Sequence, residues 1–483
     1  MFRLLKCHFV RCNSTLSFHL QLKSQLPSLV TSTNSYDLEN HSKDEGNHIH
    51  SPYTTSLVVF PTSTAEIETL VSLATDSSIS LIAYGVGTSL EGHVLPQNET
   101  TVTVSLAKMN KVLDVSDLPS GFVTVQPGIT RLELNEHLKA TGYEFKIDPG
   151  ANATIGGMTA TNASGTRAVK YGTMRENVAS LKVTTASSSG TLSLGARAKK
   201  SSAGFDLKHL FIGSEGTLGI ISEIVVRVFP KCEAVVGGKI SFNSVDDALD
   251  AVQQIMAVSA NSVSKIEFLD SFSISAFNKY VKGRGDNDDD DLPILPHLFV
   301  EFEGVSYAAV EEAVGLAKEI CSGVSVNFDF STDETSMSNL WKARHNLYYA
   351  NMNTRKGASA CFTTDICVPI QHLSKIITLT REDIDKHEVT GCIVGHCGDG
   401  NFHALFPIVD DDGEIYKNKI RHINSRLIER ALTVGGTCSG EHGIGVGKKA
   451  YLQAQYCEST MEAMKSIKAL FDPNNTMNPN KIM

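Results

Sequence analysis

From residue 51 to Pro230 the apolar residues fall in short blocks broken by Gly, Ser and Thr. LVVFPTSTAEIETLVSLATDSSISLIAYG reads as strand, helix, strand. Thr64 stands before Ala65, Glu66 and Ile67 as the expected helix N-cap. The second strand ends in Gly85, TVTVSL and FVTVQP alternate as strands do, and GIISEIVVRVFP is a strand stopped by proline. After Pro230 the period lengthens. SVDDALDAVQQIMAVS and YAAVEEAVGLAKEICS are amphipathic at helical spacing and alternate with strands such as LFVEFEG. The pattern predicts an α+β protein with a leader over residues 1–50, a first domain over 51–230, and a second domain with an antiparallel sheet over 231–435. A C-terminal segment over 436–483 is expected to pack on the first domain and complete its site. GRGDNDDDDLP, residues 283–293, reads as a solvated loop.

Composition narrows the picture. The chain has 483 residues, 41% hydrophobic and 20% charged, with a formal net charge of −10. That balance argues against nucleic acid as a partner. No apolar run reaches the roughly 18–20 residues that span a bilayer, which leaves peripheral association with a membrane open. The first 36 residues contain Arg3, Lys6, Arg11 and Lys23 but no acid before Asp37. Such a Ser-rich, acid-poor leader reads as a mitochondrial transit peptide, and a plain disordered tail is the alternative. None of the ten cysteines forms a C-x-x-C pair, as expected of reduced thiols in a non-secretory compartment.

Three segments are dense in small residues. YGVGTSLEG, residues 84–92, follows a strand, and glycine lets backbone N–H groups close around phosphate oxygens. It is not a Rossmann fingerprint, because Leu90 stands at the third glycine position and a strand follows instead of a helix. PGANATIGGMTATNASG (149–165) and GSEGTLGIIS (213–222) complete the set. Three such loops in one domain point to an extended ligand wrapped by main chain.

In HCGDGNFH, residues 396–403, Asp399-Gly400 is the signature of a two-residue type I′ hairpin turn. That register would place His396 opposite His403, about 4.5–5.5 Å apart at Cβ, close enough to share a metal ion. An ordinary hairpin with two exposed histidines fits as well. In LWKARHNLYY, Trp341, Arg344, His345 and Tyr348 fall on one face of a single helix. This is either a site or a buried aromatic stripe with Arg on its rim. Glu441-His442, in a glycine-rich loop, reads by itself as surface, and Cys397 and Cys438 read as small buried residues.

The three glycine-rich segments in this order, followed by HCGDGNFH, SGEHGIG and the terminal NPNK, carry a resemblance over about residues 50–483. The chain resembles proteins with a vanillyl-alcohol-oxidase (PCMH) type FAD-binding domain joined to the C-terminal domain of the FAD-linked oxidases, and within them the cytochrome-type D-lactate dehydrogenases. The resemblance implies that Gly85, Val86, Gly87, Thr88, Ser89 and Leu90 hold the pyrophosphate of a noncovalent FAD. It implies that Gly150, Thr154, Gly157, Ser164, Gly216 and Ile221 line the rest of the cofactor. It further implies a divalent metal, zinc or manganese, on His396, His403 and Glu441, with His442 as proton acceptor and Arg344 on the substrate carboxylate. Relatives that oxidise D-2-hydroxyglutarate carry a lysine and an asparagine where this chain has Thr363 and Leu405, so D-lactate is the expected substrate. The expected electron acceptor is cytochrome c, or an electron-transfer flavoprotein if another D-2-hydroxy acid is used.

The chemistry of these residue types agrees. Two histidines and a carboxylate leave coordination positions open for the carboxylate and hydroxyl of a 2-hydroxy acid. A metal lowers the pKa of a bound hydroxyl, and histidine accepts a proton near neutral pH. The same donor set also describes flavin-free non-haem iron enzymes, which would lack a yellow chromophore.

Overall fold

The computed structural model describes residues 15–46, 49–284 and 291–483. The first 14 residues of the expected leader and the centre of the acidic loop lie outside them. The described chain forms two compact units. One comprises the residues up to Ser164, Thr173–Pro230 and His442–Met483; the other comprises Gly165–Gly172 and Lys231–Glu441. The change expected at 435/436 therefore falls at 441/442. A short stretch of the first domain's sequence belongs to the second unit.

Among its described residues the first unit contains two larger sheets and a two-stranded one, Tyr143–Glu144 with Phe229–Pro230. Strands β1 (Val30–Ser32), β2 (Leu57–Phe60), β3 (Ser80–Tyr84) and β4 (Thr101–Ser105) form one, in the order β1-β2-β4-β3. β4 runs parallel to both β2 and β3, while β1 is antiparallel to β2. The crossover helix Thr64–Asp76 buries Ile67, Leu70, Val71 and Ala74, which recur at i, i+3, i+4 and i+7. Its N-cap is Ser63, one residue before the expected Thr64, because the Ser63 hydroxyl reaches the Glu66 amide. The second sheet is antiparallel and contains β5 (Val112–Asp114), β6 (Phe122–Val125), β7 (Val178–Thr184), β8 (Thr191–Gly195) and β9 (Ile220–Arg227), in the order β5-β6-β9-β7-β8.

The segment expected to be leader is integral to this unit from residue 15 onward. Residues 15–25 are helical, and Phe18 and Leu22 are fully buried in the core with Leu57, Val59, Leu70 and Val104. Apolar residues spaced to bury one face, in a segment that also supplies β1, override its acid-poor composition as a guide to structure. Phe18→Ala is expected to cost about 3–5 kcal/mol of stability, as truncation of a buried Phe does. Chemical unfolding of the purified holoprotein checks this, and a cost under about 1 kcal/mol would mean that the helix is dispensable.

The C-terminal end closes the first sheet. Leu81 on edge strand β3 donates its N–H to the Thr476 carbonyl at 2.8 Å and accepts from the Asn478 N–H at 2.8 Å, while Met477 is buried in the same core.

The second unit is built on one eight-stranded sheet. β10 (Ala234–Phe242), β11 (Val263–Leu269), β12 (His297–Gly304), β13 (Ser325–Ser331), β14 (Ala358–Thr363), β15 (Cys392–Gly395) and β16 (Asn401–Val409) lie in the order β13-β10-β12-β11-β15-β16-β14. The short strand Ile366–Cys367 also pairs with β16, and all neighbours are antiparallel. Helices Val245–Ser259 and Tyr307–Cys321 form where the amphipathic period predicts them. Among the described residues, no helix is long and apolar enough to cross a membrane.

Candidate active site

β15 and β16 form the hairpin that carries the two histidines, but the turn differs from the expected one. Residues Cys397–Asp399 form a single 3-10 turn, and Gly400 alone is left-handed, at φ 79°. A type I′ turn needs positive φ at both central residues, and Asp399 does not adopt it. Gly400 is required for space as well, since a Cβ would lie 1.9 Å from the Val368 carbonyl oxygen. The longer connection shifts the register, so that Val394, not His396, faces His403.

The rings converge nonetheless, at 5.6 Å between centroids. Each is oriented through its Nδ1. His403 Nδ1 bonds the Thr364 carbonyl at 2.9 Å, and His396 Nδ1 bonds Glu267 Oε1 at 2.5 Å. Both Nε2 atoms then point at one oxygen, Glu441 Oε1, from 3.3 Å for His396 and 3.1 Å for His403. Glu441 is set in place by Asp365. That buried carboxylate accepts the N–H groups of Gly440 at 2.9 Å and Glu441 at 3.1 Å, the Ser439 hydroxyl at 2.8 Å and the Asn401 amide at 2.9 Å.

Burial alone would push the His396 pKa down, yet the carboxylates of Glu267 and Glu441 hold it well above the ordinary value. Burial would raise Glu441, but His396 and His403 hold it well below the carboxylate range. A compact centre with two fixed imidazoles and an ionised carboxylate, their ligand atoms within 4.8 Å of one another, fits a divalent cation. The cation would supply the positive charge that a proton on His396 otherwise provides.

Arg344 lies on helix Glu334–His345 and donates from Nε to Glu267 Oε2 at 2.6 Å. The helix ends there, and a new one, Leu347–Asn353, carries Tyr348. The single stripe expected from Trp341 to Tyr348 is therefore broken, with Trp341 buried and Tyr348 exposed. Cys397 is buried and donates to the Ile266 carbonyl, as a small core residue rather than a ligand. Thr363 on β14 and Leu405 on β16 are directly opposed. Glu267 and Asp365 escaped the reading of the sequence. The available signal was a lone acid among Ile266, Phe268 and Leu269 in a buried strand, where an unpaired carboxylate would be costly.

In the first unit, residues 85–90 leave β3 without regular structure. Among the described residues, none of their six N–H groups donates a hydrogen bond, whereas the Gly87 and Ser89 carbonyls both accept from the Glu45 N–H. Such an unused array of donors fits a pyrophosphate. Thr154 caps helix Ile155–Thr161 through the Gly157 N–H at 3.2 Å, and its hydroxyl lies 2.3 Å from where a Gly85 Cβ would sit. Gly216, left-handed at φ 70°, lies beside Ala83 at the end of β3. Gly85, Thr154, Gly157 and Gly216 are thus gathered at the end of β3. Gly150 sits where a Cβ would meet nothing within 4 Å, Ser164 is half-buried, and Ile221 is buried on β9. The structure records no direct link from these three to the 85–90 loop. Residues 44–46 also clamp that loop, with Asp44 Oδ2 accepting the Gly92 N–H at 2.9 Å.

His442 opens the last segment of the first unit. The loop behind it is tied down by Glu215, which accepts the N–H groups of Ile444 at 2.7 Å and Gly445 at 2.8 Å. Buried His93 stands 3.4 Å from the same carboxylate.

The chain is similar to known proteins. The family model for FAD linked oxidases, C-terminal domain, matches residues 232–482, and that for an FAD binding domain matches residues 55–192. A probable mitochondrial D-lactate dehydrogenase of Danio rerio is 42% identical, over 92% of this chain and 87% of its own length. A mitochondrial D-lactate dehydrogenase [cytochrome] of Arabidopsis thaliana is 36% identical, over 96% of this chain and 80% of its own. In fold the chain is similar to an alkyldihydroxyacetonephosphate synthase, with TM-score 0.74 and 23% identity over 96% of this chain and 86% of that one. The first unit thus carries an FAD-binding domain of the vanillyl-alcohol-oxidase type, and the chain belongs to the FAD-linked oxidase family of oxidoreductases.

Proposed function

We propose that this protein is a mitochondrial dehydrogenase that oxidises D-lactate to pyruvate with a noncovalent FAD and a divalent metal, and passes the electrons to cytochrome c. The observation that carries the reading is the convergence of both imidazole Nε2 atoms on Glu441 Oε1. The similarity to D-lactate dehydrogenases of the cytochrome type supports the substrate, the compartment and the acceptor.

When bound, FAD supplies the hydride acceptor and the metal supplies the charge that acidifies the substrate hydroxyl. His396, His403 and Glu441 hold the metal. Arg344 keeps both terminal amino groups of its guanidinium outside its bond to Glu267, and these grip the substrate carboxylate. His442, one peptide bond beyond the ligand Glu441, takes the hydroxyl proton. Residues 85–90 bind the pyrophosphate through main chain, and Thr154 and Gly157 shape the space beside it. The Thr363–Leu405 pair has no cation for a second carboxylate, which would be left unpaired. This favours a monocarboxylate over D-2-hydroxyglutarate.

Anaerobic mixing with D-lactate, L-lactate and D-2-hydroxyglutarate tests the proposal. Rapid bleaching of the flavin by D-lactate alone is expected. Faster bleaching by D-2-hydroxyglutarate would overturn the substrate, and no bleaching by any of the three would overturn the activity.

A further inference from the structure

Glu267 has no side-chain exposure, and each of its two oxygens has a separate task. Oε1 takes His396 Nδ1 at 2.5 Å, and Oε2 takes Arg344 Nε at 2.6 Å. His396 is a residue of the metal cluster, and Arg344 comes from a helix far away in sequence. Among the described residues, the side chain that bonds both is this carboxylate on β11, fixed in the middle of the sheet between β12 and β15.

We propose that Glu267 is a positioning residue that ties the metal site to the substrate-anchoring arginine, so that one rigid carboxylate sets the aim of both. The inference rests on the functional reading above. Bonding to Oε1 fixes the His396 tautomer, with the proton on Nδ1 and the lone pair of Nε2 directed at the metal position. Bonding to Oε2 uses Arg344 Nε and so turns the paired terminal amino groups away, in the geometry that receives a carboxylate in two parallel bonds. A 2-hydroxy acid must reach the metal with one end and the arginine with the other. The separation of its two anchors is then determined by the width of a single carboxylate and not by the packing of two independent elements.

Glutamine at this position has one acceptor oxygen and one amide group. It can accept from His396 or from Arg344, and it presents N–H groups to the other. Aspartate keeps the buried charge, and with it the fold, but is too short by one methylene to keep both bonds.

The test uses full-length FAD-loaded protein, wild type, E267Q and E267D. Zn2+ affinity is measured by equilibrium dialysis with elemental analysis, and kcat and KM for D-lactate are measured at saturating Zn2+. Both variants are expected to bind Zn2+ about tenfold or more weakly, the range found when a partner of a metal-bound histidine is removed. At saturating Zn2+ they are expected to keep a KM raised about tenfold, with kcat moving less than KM, because Arg344 remains misdirected. A purely structural role would lower the melting temperature and leave both readouts unchanged per folded molecule. Unchanged Zn2+ affinity in E267D, or a KM that returns to the wild-type value at saturating Zn2+, overturns the proposal. If wild-type holoprotein neither binds Zn2+ nor is bleached by D-lactate, the functional reading itself has failed. If it does both and E267D matches it, only the coupling through Glu267 has failed.

Discussion

Removing the divalent metal with EDTA is expected to stop D-lactate turnover while the protein stays yellow. The two effects separate because the groups involved belong to different parts of the chain. The loop at 85–90, proposed to wrap the flavin, leaves β3 and is held by residues 44–46, none of which takes part in the histidine cluster. The substrate hydroxyl, by contrast, is a very weak acid without a Lewis acid beside it. A bound metal lowers the pKa of water to about 7, far below that of bulk water, and stabilisation of this kind is worth several kcal/mol, or at least about a hundredfold in rate. His403→Ala should behave like the stripped enzyme, and added Zn2+ or Mn2+ should not restore it. Turnover with an artificial electron acceptor, read beside visible flavin absorbance and metal content, checks the prediction. Full activity in protein shown by elemental analysis to be metal-free would remove the metal from the mechanism.

His442→Gln is expected to lower kcat by about 10²–10⁴-fold, the usual contribution of a positioned general base. Its neighbour Glu441 is held independently by Asp365, so the variant should retain its metal. The loop that follows is held by Glu215, so the variant should also fold. A base must be unprotonated to act, so wild-type kcat should fall on the acid side of its profile. That limb should flatten in the variant. A kcat within about threefold of wild type would mean that the proton leaves by another route.

Much of the candidate site was legible because its residues lie in short contiguous motifs. His396 and His403 are separated by six residues, Glu441 and His442 are adjacent, and the loop at 85–90 advertises its main chain by its glycines. The alternating strands and the two amphipathic helices of the second unit were equally plain, since their periodicity is local. What escaped was long-range. Glu267 lies 129 residues from His396 and 77 from Arg344 in the sequence, and Asp365 lies 76 from Glu441. An acid inside a strand discloses that it needs a partner but not which one. The turn was misjudged because Asp-Gly is compatible with more than one geometry, and the choice was made by the Val368 carbonyl pressed against Gly400. The early helix was assigned to the leader because composition outweighed spacing. Phe18 and Leu22 are one helical turn apart, and their burial makes the segment part of the first unit.

The pairing of Leu81 with Thr476 and Asn478 has a bearing on the order in which the protein can be made. A ribosome delivers β3 and the loop at 85–90 some four hundred residues before the segment that completes their sheet. The newly made chain must keep an open sheet edge until residues 476–478 emerge, a state in which unpaired backbone invites other strands. Chains that stop before residue 476 would retain the cluster of His396, His403 and Glu441 yet lack the segment that pairs with Leu81. Their fate would be aggregation or degradation rather than a folded flavoprotein. The arrival of residues 476–478 is in that sense checked by the fold itself.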